Sequence, residues 1–305
     1  MSKILVIRGG AIGDFILTLP VLSALRQQFP NATLEVLGYP HIAQLAVAGE
    51  LADAVRSIEA RPLAGFFARG GILEPELQEY FSSFAIILSY LYDPDGIFEA
   101  NVRRSCKGQF IAGPHRPDGS KNEHATAVFL EPLKRLAIFD ADVVPRLTVS
   151  VGRNPSSLQS NCIAIHPGSG SEKKNWPIAN WIELARRLLD RADVSLLVVG
   201  GEADGARIEA LKRVLPQDRA EVVFNVLLPG LAERLAGCAL FVGHDSGITH
   251  LAAAVGVPVI ALWGETSEAL WRPLGAEATI LRSSTGLQHL EVGAVMRAVT
   301  AVIRL

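Results

Sequence analysis

The chain has 305 residues and a mass of 32.7 kDa. That exceeds the roughly 250 to 300 residues over which one hydrophobic core keeps growing, so two domains are expected. Its 29 basic and 31 acidic side chains leave a formal net charge of −2, with no cationic surplus of the kind that non-specific nucleic-acid binding needs.

Residues 3–8 (KILVIR) read as a buried strand, 9–13 as a tight glycine turn, and 14–29 as a helix with Phe15, Leu19, Leu22 and Leu25 on one face. The strand ends at Arg8, too early for a secretory signal. Asp14 stands at the helix start, where a carboxylate accepts backbone N–H bonds and meets the dipole at a gain of about 0.3 to 1 kcal/mol. The spacing Gly9-Gly10-x-x-Gly13 invites a dinucleotide reading, but adjacent glycines depart from G-x-G-x-x-G. Glu35, the acid nearest the ribose position, falls in the middle of a strand at 33–37, where a ribose-binding acid should stand at a strand end.

Strands at 54–58 and 84–89 alternate with helices at 62–68 and 75–81. Within 61–70 (RPLAGFFARG), Phe66 and Phe67 lie between Arg61 and Arg69. The pair either offers an aromatic, basic edge to a lipid surface or folds back onto the core, and the second reading is preferred. Asp93-Pro94-Asp95-Gly96 has the letters of a metal-binding D-x-D motif, yet Pro between two acids followed by Gly is turn chemistry. Arg103, Arg104, Lys107, Arg116 and Lys121 surround a short strand at 109–112, ahead of a helix at 123–137. Such cations either form a solvated face or, gathered on a cleft, suit an anionic ligand.

The polar stretch 152–160 has no periodicity and reads as a linker. Beyond it, strands at 162–166, 195–199, 221–224, 240–242 and 258–262 alternate with helices at 178–190, 203–214, 231–236 and 248–255, the pattern of a parallel, doubly wound sheet. A last helix is expected at 290–303. The longest apolar window, 251–263, is shorter than the ~20 residues of a spanning helix and is broken by Gly256 and Pro258, so a soluble chain is expected. A mean hydropathy of +0.28 still allows contact with a membrane surface. Cys106, Cys162 and Cys238 are odd in number and lack ligand spacing, and read as reduced, mostly buried thiols of a cytoplasmic protein.

Three strand ends in the second half carry polar chemistry. Gly168, Ser169, Ser171, Lys173 and Lys174 form a small-residue loop with two ammonium groups before a helix start at Pro177, the make-up of a diphosphate cradle. Glu202 follows the strand at 195–199 and suits ribose hydroxyls, although Glu202 and Asp204 also suit simple helix capping. Asp245 closes the third turn, and Ser246 and Gly247 sit where helix N–H groups lack internal partners and favour an anion. His250, one turn on, faces either ligand or core. In open parallel sheets the ligand lies beyond the carboxyl ends of the strands, where Asp245, Ser246, Trp263 and Glu265 stand.

The run Asp245 to His250 (DSGITH), followed by Gly256-Val257-Pro258 and Trp263-Gly264, resembles the C-terminal signature of glycosyltransferase family 9. That family contains the bacterial lipopolysaccharide heptosyltransferases, which use ADP-heptose. Segments 8–20, 166–177 and 200–204 match in the same order, so the resemblance spans nearly the whole chain. It implies an α/β GT-B fold, in which two Rossmann-like doubly wound domains face a central cleft. Residues 1–151 would form an acceptor domain and 161–289 a nucleotide-sugar domain, with 290–305 packing back toward the first. It further implies Asp14 as general base; Gly13 and, from the cation cluster, Arg103 and Arg104 are expected on the acceptor side. Lys174 would be the diphosphate lysine, with Lys173 flanking it or taking its place. The implied reaction is inverting and metal-independent, without a cofactor, from an ADP-sugar to an anionic glycolipid or oligosaccharide of the lipopolysaccharide core, at the inner face of the inner membrane. A nucleotide-sugar epimerase of the same architecture and a nicotinamide-dependent oxidoreductase are the competing classes.

Overall fold

The computed structural model describes residues 2–149, 161–275 and 277–303. Two compact units divide the chain, Met1–Val144 and Pro145–Leu305. The expected linker at 152–160 lies outside the described residues.

In the first unit, β1 (Lys3–Arg8), β2 (Thr33–Gly38), β3 (Ala54–Ser57), β4 (Ile86–Ser89) and β5 (Gln109–Ala112) form one parallel sheet in the order β3-β2-β1-β4-β5. The central strand β1 is buried from Ile4 to Arg8, as expected of a strand covered on both faces. Around the sheet run α1 (Ile12–Ile16), α2 (Leu19–Gln28), α3 (Pro40–Ala48), α4 (Pro75–Ser82), α5 (Ile97–Arg103) and α6 (Ala125–Leu130). The helix expected at 14–29 starts earlier and is two helices. The Thr18 hydroxyl donates to the Asp14 carbonyl at 2.8 Å, and Pro20, which has no N–H to give, opens α2. Likewise 123–137 is α6 followed by a 3₁₀ turn, Glu131–Leu136, started by Pro132 and ended by Ala137 at φ 57°.

Phe66, Phe81, Phe84 and Phe98 fill the core beside Leu5, Ile7 and Leu37. The Asp93-to-Gly96 turn caps α5, since the Asp93 carboxylate accepts the N–H groups of Phe98 and Glu99 at 3.1 and 3.0 Å. Glu35, the acid of the dinucleotide reading, accepts the Tyr80 hydroxyl at 2.7 Å from the middle of β2.

The second unit holds β6 (Asn161–Ile165), β7 (Val194–Gly200), β8 (Ala220–Phe224), β9 (Leu240–His244), β10 (Val259–Leu262) and β11 (Ala278–Leu281), all parallel in the order β11-β10-β9-β6-β7-β8. Its helices are α7 (Ile178–Leu189), α8 (Gly205–Lys212), α9 (Leu228–Ala236), α10 (Gly247–Ala254), α11 (Glu268–Trp271) and α12 (Val292–Ile303). The terminal helix α12 buries Val295 and Val299 in its own unit's core, with Trp181 and Leu184 of α7. Cys162 and Cys238 are both buried, and their sulfurs lie 3.6 Å apart because the Ala239 N–H bonds the Cys162 carbonyl. Among the described residues, no helix is long and apolar enough to cross a membrane.

Each sheet has one place where the chain changes direction. In the first, β1 leads outward through β2 and β3, and β4 returns to the other flank of β1. In the second, β6 leads through β7 to β8, and β9 returns to the other flank of β6. Loops leaving the two adjacent strands diverge there and open a crevice at the carboxyl end of the sheet.

Candidate functional site

At the β1/β4 crevice of the first unit lies a cavity of about 650 Å³. Its walls come from the strand ends: Arg8, Gly9, Gly10 and Asp14 after β1, Tyr90 to Tyr92 after β4, and His115 and Arg116 after β5. Tyr39, Ile58, Glu59 and Phe67 complete it. Gly10 turns the chain at φ 104°, a conformation that favours glycine, so that α1 starts with Asp14 on the cavity wall.

The Asp14 side chain is 18% exposed. Its Oδ2 accepts the Ala11 N–H at 3.1 Å, while Oδ1 stands 3.8 Å from Arg8 Nη2, too far for a hydrogen bond. One oxygen is therefore a helix-start acceptor, and the other keeps its lone pairs. Arg8 is buried, with Nη1 donating to the His115 carbonyl at 3.0 Å and Nη2 to the Asp14 carbonyl at 3.2 Å. Its guanidinium also lies 4.4 Å from the centre of the Phe129 ring. Burial lowers the Arg8 pKa, and the Asp14 carboxylate pulls the other way.

Gly13 sits inside α1, its carbonyl accepting the Leu17 N–H. Arg103 and Arg104 are not among the cavity walls. Arg103 pairs with Glu99 along α5, and Arg104 donates to the Gly71 carbonyl and to Asn101. The cation on the wall beside Arg8 is Arg116, which sequence alone does not separate from the other basic residues around β5. Its place just past β5 was the available signal. The segment at 61–70 divides its two phenylalanines: Phe66 is buried and Phe67 is 47% exposed at the cavity.

In the second unit the switch point lies between β6 and β9. The segment after β6 carries Gly168, Ser169, Ser171, Lys173 and Lys174, and the turn after β9 carries Asp245, Ser246 and Gly247. The two meet: Lys174 Nζ donates to Asp245 Oδ2 at 2.6 Å, with the lysine 41% exposed and the aspartate 10%. Lys173 is exposed. Ser169 Oγ lies 2.8 Å from Asn175 Oδ1 and 2.9 Å from the Ser171 carbonyl, one hydroxyl shared by two acceptors that fold the loop on itself. Ser246 caps α10, its Oγ accepting the Thr249 N–H at 3.4 Å. That bond takes up one donor of the first turn, and the first-turn amides of Gly247 and Ile248 have no partner within the helix. His250 is buried on α10.

Glu202, the acid expected at the ribose, is exposed just past β7. Asp204 turns inward instead, accepting the Gly201 N–H at 2.8 Å and standing 3.2 Å from His166 Nε2. Burial works against its charge, but the His166 and Gly201 bonds outweigh it and hold the Asp204 pKa below the usual carboxylate range. Asp204 leaves no room opposite: a Cβ built on Gly168 would stand 1.6 Å from Asp204 Oδ1. Gly168→Ala is therefore expected to lose about 1 to 3 kcal/mol of stability through overpacking, read by urea unfolding.

The apolar run predicts a strand ending at Val242, whereas β9 continues through Gly243 to His244, a functional residue that its polar side chain hides in the sequence. Nδ1–H of its ring donates to the Gly168 carbonyl at 3.0 Å, and Nε2 accepts the Trp176 N–H at 2.8 Å. Burial pushes the imidazole from its ordinary value of 6.5 down to about 3, against a smaller upward pull from the Gly168 carbonyl. Between those values the unfolded chain binds a proton that the folded chain does not. His244 therefore takes stability away progressively as pH falls from about 6.5 toward 3. Urea unfolding at stepped pH should show this loss in the wild type and a flatter profile in His244→Gln.

Residues 136–296 match the profile of glycosyltransferase family 9 (heptosyltransferase). Over 93% of its length the chain is 26% identical to lipooligosaccharide heptosyltransferase 2 of Haemophilus influenzae, covering 89% of that protein. The solved structure of the Escherichia coli ADP-heptose lipopolysaccharide heptosyltransferase II resembles it with a TM-score of 0.81 at 19% identity, over 99% of this chain and 98% of that one. The Escherichia coli heptosyltransferase with ADP-2-deoxy-2-fluoro heptose gives a TM-score of 0.75 at 20% identity, over 98% and 99%. The fold is thus GT-B, two Rossmann-like domains each with its own parallel sheet. By the profile match and the near full-length relative, the chain belongs to glycosyltransferase family 9, the heptosyltransferase family.

Proposed function

We infer that this enzyme moves a heptose from ADP-heptose to an anionic acceptor of the lipopolysaccharide core, with inversion at the anomeric carbon, at the cytoplasmic face of the inner membrane. The relatives' donors and acceptors support the substrate classes. The observation that carries the mechanism is that the two switch points hold complementary equipment: a carboxylate with an oxygen not engaged in a hydrogen bond at one, and a lysine beside a helix start at the other.

Transfer needs both. The acceptor hydroxyl loses its proton as its oxygen attacks the anomeric carbon, and Asp14 Oδ1 is the atom suited to take it. On the far side of that carbon the bond to the diphosphate breaks and negative charge grows on the leaving oxygen. Lys174 and the Gly247 and Ile248 amides are suited to meet that charge. Asp245 holds the Lys174 ammonium at the crevice until the diphosphate arrives. On the acceptor side, Arg116 supplies a cation, and Tyr39, Tyr92 and Phe67 supply flat apolar faces for sugar rings. Glu35, already engaged by Tyr80, gives the nicotinamide reading no ribose ligand.

Incubation with ADP-heptose and a heptose-free core glycolipid should release ADP and give a glycolipid heavier by one heptose, with the anomeric centre inverted by NMR. Thermal stabilisation by ADP but not by UDP or NAD(H) is expected alongside. Stabilisation by UDP alone, with no product from ADP-heptose, would overturn the donor assignment.

A further inference from the structure

The segment from Gly168 to Trp176 leaves the sheet at β6 and returns to start α7, and both of its ends bond one side chain. His244 donates from Nδ1 to the Gly168 carbonyl and accepts at Nε2 from the Trp176 N–H. A neutral imidazole offers one donor and one acceptor, and a single tautomer satisfies both bonds. The ring has no exposed surface, and Trp181 covers it edge to face at a centroid distance of 5.3 Å. Trp176 is itself anchored, its indole N–H donating to the Leu290 carbonyl at 2.9 Å. Within the segment so closed, Lys174 reaches Asp245, the residue directly after His244.

We propose that His244 is a positioning residue for the donor: by clasping both ends of the 168–176 segment it fixes where Lys174 and the loop amides meet the diphosphate. The proposal rests on the reading of this segment as the diphosphate cradle. A loop pinned at folding does not have to be ordered again at each binding event, which is where preorganised sites gain affinity. The chemistry of the position distinguishes it from core filling. An apolar side chain would pack equally well beside Trp181, but it would strand a buried carbonyl and a buried N–H. Burial also holds the imidazole pKa down at about 3, so at neutral pH the acceptor nitrogen facing Trp176 is not lost to a proton.

The test is a double-mutant cycle on the full chain, reading the ADP dissociation constant by titration calorimetry. His244→Leu is expected to weaken ADP about tenfold, the equivalent of roughly one net hydrogen bond. It should also remove most of the loss caused by Lys174→Met, so that the two substitutions are strongly non-additive. His244→Gln, whose amide supplies a donor and an acceptor, should return ADP affinity close to that of the wild type. Additive losses, or unchanged ADP affinity in a folded His244→Leu chain, would overturn the proposal and leave the ring as packing alone. If His244→Leu does not fold, His244→Asn carries the same cycle, because its shorter amide spans only one loop end, and additivity there overturns the proposal equally. Should Lys174→Met by itself leave ADP affinity unchanged, the cradle reading fails and the proposal with it. A loss with Lys174→Met that is independent of His244 sinks the proposal alone.

Discussion

Asp14→Asn is expected to lower kcat by about 10²- to 10⁴-fold, the range that a positioned general base supplies, while ADP binds as tightly as before. The substitution is chosen for what it keeps. Asparagine has the same shape, still offers an oxygen to the Ala11 N–H, and is as good at a helix start as aspartate. The basic oxygen is lost, and with it the negative charge that faces the buried Arg8, so a modest fall in melting temperature is expected. A cooperative unfolding transition and unchanged ADP affinity would show that the fold and the ADP-binding site are intact, so a fall in single-turnover transfer would then belong to the proton step. Equal turnover by wild type and variant would remove Asp14 from that role and leave its carboxylate as a helix cap.

Lys174→Met should cost both affinity and rate, with kcat down by about 10²- to 10³-fold, as for loss of one group that stabilises leaving-group charge. It also strips the partner from Asp245, a carboxylate only 10% exposed. Removing one member of such a pair leaves an uncompensated charge, so the single variant should lose stability as well. Adding Asp245→Asn should restore the stability without restoring transfer. Recovery of activity in the double variant would mean that Lys174 serves Asp245 rather than the donor.

Much of the fold was legible because its central strands are buried on both faces. KILVIR and the run at 195–199 are nearly continuous apolar stretches, and both appear as strands within a residue or two of their expected bounds. The edge strand β11 has four half-buried residues and no such signal, and it went unread. So did α3 and α5, short helices whose starts depend on a Pro and on a capping Asp93. The glycine and lysine composition of the second-unit loop and its neighbour after β9 were legible because strand-end turns are where a parallel sheet presents ligands. The positions of side chains within the crevices were not. Gly243 was read as ending its strand, whereas the strand continues past it and brings His244 under the loop, 76 residues from its partner Gly168. The arginines behaved similarly. Sequence offers five cations around β5, and only the geometry of the strand ends selects Arg116 for the cavity and turns Arg103 and Arg104 to other partners.

All four tryptophans, Trp176, Trp181, Trp263 and Trp271, belong to the second unit, and all four tyrosines, Tyr39, Tyr80, Tyr90 and Tyr92, to the first. Red-edge excitation, which selects indole over phenol, therefore yields emission from the second unit alone. Because Trp176 and Trp181 meet edge to face at a centroid distance of 5.4 Å, with Trp181 also against His244, that emission doubles as an unlabelled optical gauge of the loop, free of tyrosine signal from the first unit.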